Sequence, residues 1–302
     1  MRVLVAVAIV GVLCGSVVAD RREPVTLKLG TLAIDGSRYM KDILALGAEI
    51  ERRTRGRVTL AWSSGGQLGE ETEMVAKIAR GKLDGGGFSE TGLVALVPEM
   101  AAWGAPGMFR DAAEVDRATA ALGDEVRALF AKRDLQFVMW ADLGFAQLFA
   151  MEPAKTLAEA VEAAAPWLSA PLDGALALAI GSGKARAWAV PPLYQLAITG
   201  AKARFMTNLR YRYVIGGLVI SAKAWARLAP NDRQIVAETC RAWEPRLRAS
   251  WRTETERGIA VLAKSGVVMR TAPETQLSAF TAELGARAPA SPLRDAIRAA
   301  LR

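Results

Sequence analysis

Two glycine clusters stand where the chain leaves a regular element: Gly65-Gly66 after the apolar run RVTLAW, and Gly85-Gly86-Gly87 after the helical pattern ETEMVAKIAR. Glu70-Glu71 follow the first, and Phe88-Ser89-Glu90-Thr91 follow the second. Glycine lets a ligand approach the backbone closely. In an open α/β sheet the crevice beyond the carboxyl ends of the strands is where ligands sit. A phosphate cradle is excluded, because no Lys-Ser or Lys-Thr follows either cluster and the spacing fits neither nucleotide fingerprint. The chemistry left to this stretch is binding, with Gln67, Ser89, Glu90 and Thr91 as orienting polar groups. Glu70 and Glu71 are expected as caps, since acidic residues favour a helix N-terminus.

Catalysis has little to work with. The 302 residues contain no histidine, which removes the usual general base, the Ser-His-Asp and Cys-His pairs and most catalytic zinc sites. No metal-ligand cluster and no cofactor motif stands out, so the chain is not expected to be an enzyme. Of two cysteines, Cys14 lies in the first apolar run and Cys240 in the helical pattern IVAETCRAW, where a small buried apolar role is expected. The formal net charge is +8. Its arginines are scattered beside Asp and Glu, without a basic tract or interleaved aromatics, so nucleic acid is not an expected partner.

The elements that must position these groups are legible in outline. MRVLVAVAIVGVLCGSVVAD sets Arg2 before an apolar run and ends in small residues at Val17-Val18-Ala19, the pattern of a secretory leader cleaved before Asp20. Leu13 is too bulky for acylation at Cys14, and the run falls short of the ~20 residues that span a bilayer. VTLKLGTL alternates as a strand, a helix follows from about Arg38 to Arg53, and RVTLAW is a second strand. Short turns between them imply a parallel pair with a right-handed crossover. LQFVMWADLGFAQLFAM reads as two apolar strands about a turn at Asp142-Leu143-Gly144, able to cross between domains. RYVIGGLVIS is a later apolar strand, and a helical pattern runs from Ala222 to Ala263, starting a helix at Pro230 and kinking at Pro245.

The blocks LKLGTLAIDGSRYMKD, TRGRV, SSGGQLGEETEMVAKIARGKLDGGG, PGMF and GGLVISAKAWARLAPNDRQIVAE resemble the DctP-type solute-binding proteins of tripartite ATP-independent periplasmic (TRAP) transporters. The resemblance implies a periplasmic-binding-protein-like α/β fold of two domains, with crossing strands and a long kinked helix. The expected division is 1–19 as signal peptide, 20–140 with part of 205–250 as the first domain, and 141–204 with part of 205–302 as the second, spanned by a helix at about 222–263. It also implies a periplasmic subunit that closes on a small organic solute and delivers it to the membrane subunits of the transporter.

The chain departs from that family's pattern in ways that bear on the solute. The glycine-aromatic-arginine setting reads Gly144-Phe145-Ala146, so one carboxylate-binding arginine is missing. After Pro153-Ala154-Lys155-Thr156-Leu157, about one strand and one helix are absent, and with them the main carboxylate clamp, which shortens the second domain. Arg204, Arg210 and Arg212 read as surface charges. A bidentate arginine is what makes carboxylate binding strong and selective. Its absence favours an apolar or weakly polar solute against an aromatic wall. The candidate site residues are Leu32, Gln67, Phe88, Ser89, Glu90, Trp140, Phe145, Trp188, Val190, Pro191 and Tyr194. The rival is a protein-interaction module, or a relic, that has lost its solute; an enzyme on the same architecture ranks third.

Overall fold

Leu27 and Leu29 are fully buried along β1 (Val25–Thr31) in the computed structural model, which describes residues 23–199, 202–287 and 289–302. The expected leader lies outside the described residues. Ser37 caps α1 (Arg38–Arg53) by accepting from the Met40 N–H at 3.2 Å. Gly56, at φ +77°, then turns the chain into β2 (Val58–Ser63). β1 and β2 pair in parallel, as a short strand-helix-strand unit requires. α2 (Glu71–Ala79) and β3 (Gly85–Phe88) repeat the move, and β3 lies parallel on the other side of β1. α3 (Glu90–Leu96) and α4 (Ala112–Ala131) lead to β4 (Leu135–Phe145).

The chain then enters a second sheet with β5 (Gln147–Ala150), α5 (Leu157–Ala164), α6 (Gly174–Gly181), β6 (Ala187–Val190), α7 (Pro192–Thr199) and β7 (Phe205–Thr207). It returns to the first sheet as β8 (Tyr213–Ser221), continues through α8 (Ala222–Arg227) and α9 (Pro230–Lys264), adds β9 (Val268–Arg270) to the second sheet, and ends in α10 (Glu274–Arg287) and α11 (Pro292–Ala300). The sheets run β2-β1-β3-β8-β4 and β6-β5-β7-β9. β8 is antiparallel to both its neighbours and buried from Tyr213 to Ile220, as expected of a central strand covered on both faces. Its Gly217 has no room for a side chain: a Cβ would lie 2.5 Å from the Phe137 ring.

Two details differ from the sequence reading. Asp142-Leu143-Gly144 is not a hairpin turn. β4 runs through it, with register shifts between Phe137 and Met139 and between Asp142 and Gly144, and such bulges bend a strand and raise its twist. The expected single helix at 222–263 is two, because Leu228 and Ala229 adopt extended backbone before Pro230. The residue before a proline is pushed out of the helical region. α9 itself continues through Pro245.

The two sheets are joined at three places. Ala146 links β4 to β5, and residues 208–212 link β7 to β8. These crossings bond to each other, Ala146 N–H to Arg212 O at 2.9 Å and Tyr211 N–H to Ala146 O at 3.1 Å. α9 is the third join: Leu247 and Trp251 belong to the core of the first sheet and Leu262 to that of the second. Fully burying such side chains is worth about 1.5–3 kcal/mol each, so the helix is anchored at both ends.

Candidate ligand cleft

Between the sheets lies a cleft of about 940 Å³, within the ~300–1,000 Å³ usual for small-molecule sites. The carboxyl end of β1, the loop after β2 and the end of β3 form one side; the starts of α6 and α7 form the other. Tyr39 and Trp251 stack at its back, ring centroids 4.8 Å apart and 17° from parallel. Trp62 and Leu143 extend this apolar wall.

The loops behave as the glycine pattern suggested, but the carboxylates do something unforeseen. Glu71 is 3% exposed and accepts from the Ser89 N–H at 2.7 Å, the Ser89 hydroxyl at 2.8 Å and the Gly92 N–H at 2.6 Å. It therefore braces the start of α3 from across the fold. Burial pushes its carboxyl above the usual range, against the pull of those three donors. Glu70 Oε1 accepts from the Gly174 N–H at 3.1 Å, and Thr91 Oγ1 from the Leu172 N–H at 3.3 Å. Both bonds span the cleft.

Of the predicted site residues, Leu32, Phe88, Ser89, Pro191 and Tyr194 line the cleft. The others stand elsewhere. Gln67 is exposed in the loop before α2. Trp140 packs on Trp103 and Phe137, on the face of β4 opposite to Met139 and Ala141, which do reach the cleft. Phe145 meets the edge of Tyr213 at the hinge, with centroids 4.8 Å apart. Trp188 and Val190 are fully buried in the second core, where the Trp188 Nε1–H donates to Gln195 Oε1 at 2.7 Å. Glu90 pairs with Arg212, behind the wall. Arg212 is no surface charge: it is 6% exposed and also donates to Ala170 O at 3.3 Å. Tyr39, Trp62 and Trp251 were missed. Trp62, at the end of a strand and two residues before the first glycine pair, carried the signal that could have found it.

Behind the cleft a charged network secures the hinge. Asp142, on the bulge of β4, accepts from Arg252 Nε of α9 at 2.9 Å and from the Tyr213 hydroxyl. Its backbone oxygen accepts from the Tyr39 hydroxyl at 2.5 Å. Arg252 and Arg248 both reach Asp116 of α4, at 2.8 and 2.6 Å. Burial alone would raise the Asp116 carboxyl, but the hydrogen bonds from these two arginines outweigh it and hold the group below its ordinary value. Among the described residues no group of three or more Cys, Asp or Glu is arranged to hold a metal ion. Cys240 is fully buried in the core of the first sheet, its thiol pushed up to about 12 by burial.

The family model for "bacterial extracellular solute-binding protein, family 7", DctP, matches residues 29–162 and 199–288. The chain belongs to this family. The DctP match leaves 163–198 uncovered, the region where the chain departs from the family's sequence pattern. The fold is that of TRAP periplasmic solute-binding proteins. It superposes on the one from Pseudomonas putida F1 with bound D-glucuronate at TM-score 0.79, with 19% identity, over 91% of this chain and 97% of that one. The one from Xanthobacter autotrophicus Py2 with bound β-D-galacturonate gives 0.80, with 18% identity, over 91% and 99%. The uncharacterized protein y4mM of Sinorhizobium fredii (strain NBRC 101917 / NGR234) is 34% identical over 131 residues, which is 43% of this chain and 23% of y4mM. The DctP chain thus spans about a quarter of that relative's length.

Proposed function

We propose that this DctP-family chain is the extracytoplasmic solute-binding subunit of a TRAP transporter. Its two α/β halves, with the boundaries expected from the sequence, close on a small organic solute, and the closed form is what the membrane subunits engage. One observation carries this reading: a cleft of about 940 Å³ lined from both halves, with the crossing strands and α9 behind it as a hinge. Domain closure around a ligand is a recurring transition of this architecture. Ligand energy shifts a population already divided between open and closed forms.

The solute has a largely apolar body and no carboxylate. The arginine in the wall, Arg38, is ion-paired to Asp42 at 3.1 Å and bonded to the Ser250 hydroxyl at 2.8 Å. Arg212 is held by Glu90. The uronates bound by the solved relatives carry the group for which this cleft lacks a free partner. Native mass spectrometry of the purified chain, followed by denaturing extraction, tests the reading. A retained or captured small molecule that also raises the melting temperature supports it. A chain that neither carries nor responds to any solute in a metabolite extract overturns it and favours an interaction module.

A further inference from the structure

Four carboxylates gather at one end of the cleft, where α2 begins on one side and α6 on the other: Glu70, Glu71, Glu73 and Asp173. Their partners are neutral. Glu70 takes the Gly174 N–H and Asp173 the Leu176 N–H, at 3.1 and 3.0 Å. Glu71 takes three donors from Ser89 and Gly92, and Glu73 folds back over Gly69. Among the described residues no ion pair neutralises any of the four. Lys77, one turn beyond Glu73, donates to Leu68 O instead. The fifth carboxylate of the wall, Glu254, has Arg257 at 3.4 Å.

Two helix N-termini converge on the same place, each equivalent to roughly half a positive charge. Even with Glu71 protonated by its burial, three carboxylates remain, and an excess of about two negative charges faces the cleft. Tyr194 stands among these groups. Its phenol is pushed up by burial and then by Asp173, Glu70 and Glu71, which places its ring in the same negative field. An aromatic face beside unneutralised carboxylates is the environment in which an ammonium or guanidinium is attracted twice over.

We infer that the solute of this cleft is an organic cation, its ammonium or guanidinium group seated between Glu70, Glu73, Asp173 and Tyr194, and its apolar body lying along Phe88 and Trp62. This inference rests on the solute-binding reading above and gives the solute a charge. A carboxylate in the same place would meet like charge on three sides, so the cleft discriminates against acids as well as lacking a clamp for them.

The test separates the charge from the binding. A bacterial metabolite extract is passed over a cation exchanger at pH 7, and the retained and flow-through fractions are each assayed by thermal shift on the full chain and on Glu73→Gln. Benzylamine, benzyl alcohol and benzoate serve as matched probes of one body with three charges. The expected result is a shift with the retained fraction, a benzylamine affinity about tenfold or more above that of benzyl alcohol, and a several-fold loss of both responses in Glu73→Gln. A shift confined to the flow-through, or benzoate binding as well as benzylamine, overturns the cation while leaving solute binding intact. An unchanged response in Glu73→Gln overturns the seat. Silence from every fraction and probe overturns the solute-binding reading itself, and this inference with it.

Discussion

At the scale of single residues, Glu71 shows how far a carboxylate's role depends on the fold around it. In the sequence it reads as a cap for its own helix, yet its oxygens serve the start of α3. Replacing it by Gln puts an amide NH2 where an acceptor is needed, and a buried donor or acceptor left unmatched costs about 1–3 kcal/mol. Urea denaturation of Glu71→Gln should show a loss of that size. The pH dependence has a definite sign. Burial raises the Glu71 carboxyl in the folded state above its ordinary 4.5, so its contribution is fully present below that value and is lost as pH rises through the folded-state pKa. The stability of the parent chain should therefore fall with pH across that window, and Glu71→Gln should flatten the slope; equal slopes would contradict this account. The same context dependence limited the sequence reading. Alternation along a strand tells which side chains share a face but not which face is the cleft, so Trp140 was placed with the wall and Met139 was overlooked. β6 is buried on both faces, which left Trp188 and Val190 no face toward a ligand.

Elements were more legible than side chains, because glycine, proline and apolar period act locally. Ser37, Gly56 and the alternation of Leu27 and Leu29 mark β1, α1 and β2 where they occur, and the glycine loops fell at strand ends. What local signals could not carry was the partnership of β8 with β3 and β4, or the bulge that shifts the parity of β4 between Phe137 and Met139. The α9 hinge network is likewise a product of tertiary packing. Arg252→Ala would leave Asp142, which is 3% exposed, with its guanidinium partner removed, and breaking a buried pair on one side costs about 3–5 kcal/mol. The midpoint of chemical denaturation should drop accordingly, and a variant as stable as the parent would mean that the network is ornamental. Gly217→Ala should destabilise by about 1–3 kcal/mol through overpacking against Phe137, measured in the same way.

For the whole molecule, the question is what holds the halves together. Glu70 to Gly174, Thr91 to Leu172 and Arg212 to Ala170 bind the segment 170–174 to the first half without any solute. The double variant Glu70→Ala, Thr91→Val should raise the radius of gyration in solution scattering while leaving the denaturation midpoint nearly unchanged, since both bonds lie at the cleft and not in either core. An unaltered scattering curve would show that closure does not depend on them. The order of strands in the first sheet has another outcome. β8, the strand between β3 and β4, comes from residues 213–221, about 70 positions after β4 ends. A chain emerging N-terminus first, from a ribosome or through a secretion pore, presents β3 and β4 with unpaired edges and nothing between them until that late segment arrives. The first half therefore cannot complete itself early. A fragment ending at residue 204 should aggregate where the full chain stays dispersed, and the delay keeps the nascent polypeptide threadable for most of its passage.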